Sequence, residues 1–212
     1  MPTSRFFPDR VGGRLCLDFV NTVDPREVDA GRDYLASYTD VLNWFEMVDV
    51  RLPRSVSWLR RRAKVASDEA ADAHRQVVAM REAAFALINA SRIGGEVRTS
   101  DLKELNHALG QSIGHRVLAA DQRGGVREEW RSSDSLAQVL WPVAIDVWDL
   151  LTEPELALVK QCPLDAGGCG WLFLDSSRAG NRRWCDMRTC GNRAKARAHY
   201  SRTARGGAHT LA

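Results

Sequence analysis

Through most of the chain, apolar residues recur every three or four positions, the spacing of a helix with one buried face. Val41, Leu42, Phe45 and Val48 form one such stripe, after a cap at Ser37 or Thr39. Pro53 interrupts the pattern, and Val56, Leu59 and Arg60 begin a second helical stretch. The longest helix is predicted to open at Ser67 and to carry Val77, Met80, Ala84, Leu87 and Ile88 on its inner face. Gly94-Gly95 should stop it. Thr99 or Ser100 caps a shorter helix with Leu102, Leu105 and Leu109. A further helix starts at Asp134, with Leu136, Val139, Leu140, Val143, Val147 and Leu150 inward, and Pro142 is expected to kink it.

Elsewhere the period shortens. Residues 14–22, RLCLDFVNT, fit the start of a strand or of a helix, and a loop with Asp24, Pro25 and Gly31 follows. Residues 115–131 read as a hairpin, His115–Ala120 and Val126–Arg131 joined at Arg123-Gly124-Gly125. Glu155–Lys160 reads as a strand leading into Cys162, and Trp171–Leu174 as another. The tryptophans at 44, 58, 130, 141 and 148 are expected mostly in the core. Many helices with a few short strands predict an α+β chain.

With 212 residues, 44% hydrophobic and 27% charged, the chain can bury a core and does not have a disordered composition. The N-terminus, MPTSRFFPDRVGG, lacks the apolar run of a secretory signal, and the most apolar stretch, Leu136 to Leu151, is too short and too polar to span a bilayer. The expectation is a soluble cytoplasmic protein with no membrane partner. Charge is distributed unevenly. Residues 178–205 carry nine basic side chains and one acid, a net +8; the rest, with 21 basic and 26 acidic, carries −5. Such a basic segment suits a polyanion.

Four of the five cysteines cluster as Cys162-x6-Cys169-x15-Cys185-x4-Cys190. Two close pairs some fifteen residues apart is the spacing of one closed Zn²⁺ site with four thiolate ligands, one ion per chain. Two disulfides are the alternative, and a reducing compartment argues against them. Gly167, Gly168 and Gly170 supply the backbone freedom a metal knuckle needs, and Trp171 and Phe173 can cover the metal. Cys16, alone in sequence, reads as a small buried hydrophobe. The domain boundary falls where the cysteines and basic charge begin, giving residues 1–157 and 158–212.

Residues 162–202, CPLDAGGCGWLFLDSSRAGNRRWCDMRTCGNRAKARAHYSR, closely resemble the CGNR-type zinc finger. The tetrapeptide Cys190-Gly191-Asn192-Arg193 carries the match, with Arg183-Trp184-Cys185-Asp186-Met187 and Phe173-Leu174-Asp175 flanking it. The resemblance implies a treble clef: a knuckle, a hairpin, and a helix starting at the last ligands. The six-residue spacer of the first pair departs from the usual spacing and implies an inserted loop. Leu15–Thr22 and the segment with Asp40, Leu42 and Trp44 resemble the ABATE domain, which commonly precedes this finger. That implies a helix-rich α/β N-terminal domain, a small-ligand sensor, and a stress-related transcription regulator.

The residues support the same direction on charge alone. Arg182, Arg183 and Arg188 could balance the −2 of a zinc tetrathiolate. The helix after Cys190 adds Arg193, Lys195, Arg197, Arg202 and Arg205 with no acid, and Ala196, Tyr200 and Thr203 form its inward face. These eight cations are the candidate contacts to double-stranded DNA. Asp18, Asn21 and Thr22 are candidate ligand-binding groups, although Asn and Thr also cap turns and Asp18 could pair with an arginine. His74, His107 and His115 have no metal spacing. An RNA-binding or protein-docking zinc module is the competing reading, because fold alone does not give function. No nucleophile–base pair or open metal site suggests an enzyme. A homodimer is compatible with the sequence, and nothing in it selects one.

Overall fold

The computed structural model describes residue 7, residues 9–26 and residues 31–206; for residues 201–206 it describes the helix but not the side chains. Seven helices and three antiparallel strand pairs make it α+β among the described residues. The ambiguous segment after Arg14 is a helix, α1 (Leu15–Val20), in which Cys16, Leu17, Phe19 and Val20 are fully buried. It plugs the centre of the molecule, packed against α4 (Ser67–Arg92) and α6 (Trp141–Thr152). Arg14, ahead of α1, pairs with Asp146, Glu153 and Glu155, and Asp146 also accepts from the Cys16 amide at 2.7 Å. Burial pushes the Cys16 thiol well above its ordinary value, so it stays protonated as part of the core.

Helices α2 (Tyr38–Val48), capped by Ser37, and α3 (Val56–Val65), capped by Ser55, pack against α4 and each other. The 26 residues of α4 reach about 39 Å and bury the stripe Ala73, Val77, Met80, Ala84, Leu87 and Ile88. Helix α5 (Thr99–Ile113) starts one residue before the expected caps could act, with Arg98 as its N-cap. Phe19, Trp44 and Phe45 form an aromatic cluster, the Trp44–Phe45 pair edge-on at 4.9 Å. Trp148, expected in the core, is half exposed.

Strand pairs β1 (Val23–Asp24) with β2 (Arg32–Asp33), and β3 (Arg116–Ala120) with β4 (Val126–Trp130), lie at the edges of this bundle. The structure corrects two further expectations here. Pro142 does not kink a helix: a 3₁₀ turn covers Leu136–Leu140, and Pro142 sits in the first turn of α6, where its missing N–H costs nothing. The segment ahead of Cys162 is strand only from Val159, because Pro154 opens a 3₁₀ turn over Pro154–Leu158.

Strand β5 (Val159–Gln161) then pairs antiparallel with β6 (Leu172–Leu174). Val159, Leu172 and Leu174 belong to the same hydrophobic cluster as α1, α2 and α4. One core therefore runs across residue 158. The Leu174 amide donates to the Gly12 carbonyl at 2.8 Å, extending the contact to the chain ahead of α1.

Candidate metal centre and basic helix

Each cysteine is placed by local geometry. Cys162 follows β5, and its amide donates to the Trp171 carbonyl at 2.8 Å. The six residues before Cys169 fold into a compact turn, closed by Gly168 N to Pro163 O at 2.7 Å and Gly167 N to Leu164 O at 2.9 Å, so the long spacer stays inside one knuckle. A Cβ on Gly168 would lie 2.6 Å from the Cys162 sulfur, and Gly170 needs φ +76°. Cys185 precedes Asp186, whose carboxylate accepts from the Arg188 amide at 2.8 Å and starts a π turn over Met187–Gly191 containing Cys190. Helix α7 (Asn192–Gly206) begins two residues later.

All four sulfurs lie within 4.8 Å of one another, and all four cysteines are buried. Cys169–Cys185 and Cys185–Cys190 stand at 3.4 and 3.7 Å. A tetrahedron with zinc–sulfur bonds of ~2.3 Å has edges of ~3.8 Å, whereas a disulfide is ~2.05 Å. The geometry fits one zinc ion. Four buried sulfurs this close together suit four thiolates sharing one divalent cation. Trp171 and Phe173 pack in the same small apolar cluster as the sulfurs.

A family model described as "Putative stress-induced transcription regulator", ABATE, matches residues 13–154. The chain belongs to the ABATE family. The CGNR zinc finger model matches residues 159–203, in the order expected from the sequence. No curated protein matches the chain significantly. Among the described residues, no helix of this ABATE protein is long and apolar enough to cross a membrane.

The eight basic candidates separate by environment. Arg182 is turned inward: its guanidinium donates to the carbonyls of Trp184, Leu174, Val11 and Cys185 and lies 4.6 Å over the Phe173 ring. It ties the second knuckle to the strands. Arg183 is exposed and lies over Trp184, and Arg188 is 84% exposed beside Asp186. Arg193, Lys195 and Arg197 are exposed on α7, with Arg197 leaning back over the Gly167 turn. Arg202 and Arg205 lie on the same helix, and their side chains fall outside the described residues. The inward face expected from Ala196 and Tyr200 does not form among the described residues: Ala196 is exposed and Tyr200 is 73% exposed. Thr203 lies outside the described side chains.

The three ligand candidates are occupied with internal contacts. Asp18 accepts from the Gly12 amide and from Arg10. Asn21, 2% exposed, donates to the Leu172 carbonyl at 2.8 Å and accepts from the Leu172 amide at 3.0 Å, standing in for a neighbouring strand. Thr22, fully buried, donates to the Phe19 carbonyl and receives Arg81. A groove of about 290 Å³ opens nearby, and none of the three is among its lining. Asp24, Arg32, Tyr34, Trp171 and Arg193 do line it.

Sequence reasoning missed a buried charge network between finger and bundle. Arg81, 2% exposed on α4, forks onto Asp33 at 2.7 and 2.9 Å and reaches Glu82. Arg26 pairs with Glu82, donates to the Val20 carbonyl, and hands its own amide to the Cys169 carbonyl at 2.8 Å. Burial alone would raise the Asp33 carboxyl, yet the bonds and charge of Arg81 hold it below its ordinary value. The signal was legible: Arg81 stands on the stripe Val77, Ala84, Ile88, where a solvent-facing residue has no place.

Proposed function

We propose that this ABATE protein is a transcription regulator that grips duplex DNA with helix α7 and the arginines beside it. The observation that carries this reading is the state of α7 itself. It has five basic residues and no acid, and from Lys195 to Tyr200 every residue is exposed. A helix that is polar all round gains nothing from a core. A phosphate backbone supplies the counter-charge, and the finger fixes one end of the helix to the folded body. With Arg182 turned inward, the candidate contacts to nucleic acid are Arg183, Arg188, Arg193, Lys195, Arg197, Arg202 and Arg205.

The groove between finger and bundle supports the sensing half of the proposal. Its lining joins strand residues of the N-terminal part to Arg193 at the head of α7. A ligand there would touch both the sensor and the DNA-binding element, as a coupled equilibrium requires.

Anisotropy of a labelled duplex from the protein's own promoter region, measured across salt, tests the DNA reading. With about five phosphates neutralised, log K falls against log[salt] with slope roughly −4 to −5. Lys195→Ala should flatten that slope by about one unit and keep its zinc. No salt-dependent affinity for any duplex, or a clear preference for structured RNA, overturns the assignment.

A further inference from the structure

The composition of the groove selects the chemistry of its ligand. Cys169, Cys185 and Cys190 line it, together with the aromatic residues Phe7, Tyr34 and Trp171. Asp9, Asp24 and Asp186 face it against two guanidiniums, Arg32 and Arg193. The zinc tetrathiolate these cysteines build carries a net charge of about −2. The balance is negative, so an anion is disfavoured there.

Asp24 is the most telling residue. Its side chain is half-buried, and among the described residues no hydrogen bond or ion pair reaches its carboxylate. Arg193 acts on it only through space, beyond contact distance. A carboxylate drawn out of water without a partner is costly. The aromatic wall already shows its affinity for positive charge, since the Arg32 guanidinium lies 4.5 Å over the Tyr34 ring. The volume, about 290 Å³, is at the small end of metabolite-sized pockets.

We infer that this groove binds an organic cation, its positive centre against Asp24 and its apolar part against Tyr34 and Trp171. The inference rests on the sensor reading above and gives it a site and a ligand class. It also gives the coupling a direction. Arg193 is the second residue of α7 and feels the Asp24 charge. A cation that neutralises Asp24 removes that attraction and leaves the Arg193 charge to the DNA backbone. The ligand should therefore raise DNA affinity, and DNA should raise ligand affinity by the same factor.

Calorimetry on the full-length, zinc-loaded protein tests this with three probes of similar shape: benzyltrimethylammonium, its neutral isostere neopentylbenzene, and phenyl phosphate. The expected result is one cation per chain, bound at least tenfold more tightly than either other probe. Asp24→Asn should cut that affinity tenfold or more with zinc content unchanged. Tyr34→Ala should weaken it independently and covers the case in which the Asp24 variant loses metal. Preference for phenyl phosphate, equal binding of the neutral isostere, full affinity in both variants, or no cation binding overturns the inference. The salt dependence of DNA binding is measured without probe. Lost cation binding with an intact salt slope sinks the groove assignment alone, and a missing slope sinks the regulator reading alone.

Discussion

From Val159 to Cys190 the finger folds inward. Leu172, Phe173 and all four cysteines are buried, β6 sits in the core of the bundle, and Arg182 is committed to four carbonyls. Beyond Asn192 the described side chains face outward: Lys195 to Tyr200 are all exposed, Tyr200 to 73%. Both stretches carry four arginines, in residues 159–190 and in residues 192–206. The difference lies in what surrounds each guanidinium. Basic charge in a sequence therefore mixes two populations: arginines that brace a metal site and arginines left for a partner. Only the second can carry the salt dependence of binding.

Removing a ligand should produce the largest effect. Cys190→Ser should lower zinc from one equivalent per chain to less than roughly a tenth, since metal binding and folding are coupled in such sites. Because Val159, Leu172 and Leu174 belong to the bundle's core, the loss should also lower the thermal midpoint of the whole chain by roughly 10 °C or more. Metal analysis and circular dichroism at 222 nm read both. A metal-free variant with an unchanged midpoint would mean that the bundle stands without the finger, and the inward half would then end at residue 158.

Next in size is the shared core itself. Leu172→Ala should cost about 2–5 kcal/mol, the range for truncating a fully buried leucine. Urea unfolding measures it. A cost under about 1 kcal/mol would show that β6 is loosely seated and that the finger only touches the bundle.

Much of this arrangement could be read from residue spacing. The ligands were legible because a closed four-thiolate site constrains its own sequence, and the helices because a buried face imposes its period over a dozen residues. Contacts made across the chain were not. Asn21 completes a strand 151 positions away, and nothing local to Asn21 says so. Arg182 is indistinguishable from Arg183 until Phe173 and four carbonyls surround one of them. The wheel of α7 correctly put Ala196 and Tyr200 on one side, but a wheel gives a face and not a neighbour to cover it. Pro142 could equally kink a helix or begin one, and the 3₁₀ turn ahead of it decided between them.

The seam between the two regions can be probed at Asn21. Asn21→Ala removes two hydrogen bonds at once and leaves the amide and carbonyl of Leu172 buried without them. The expected loss is about 1–3 kcal/mol in urea unfolding, with zinc still at one equivalent. If zinc is lost as well, the seam is part of the metal site rather than a contact beside it.

The smallest expected effect is the sharpest test of the outward half. Tyr200 is 73% exposed, with the His199 ring edge-on at 6.1 Å. Substitutions at such positions shift stability by less than about 0.5 kcal/mol. Tyr200→Ala should therefore unfold in urea with the wild-type midpoint and slope, while Leu172→Ala shifts markedly. A cost above about 1 kcal/mol would mean that α7 docks on something in solution, either the bundle or a second copy. Sedimentation at two concentrations separates these, because a stability that rises with concentration belongs to an assembly. In either case the helix would no longer be an open cationic surface, and the five basic residues along it would have to be reassigned to whatever it packs against.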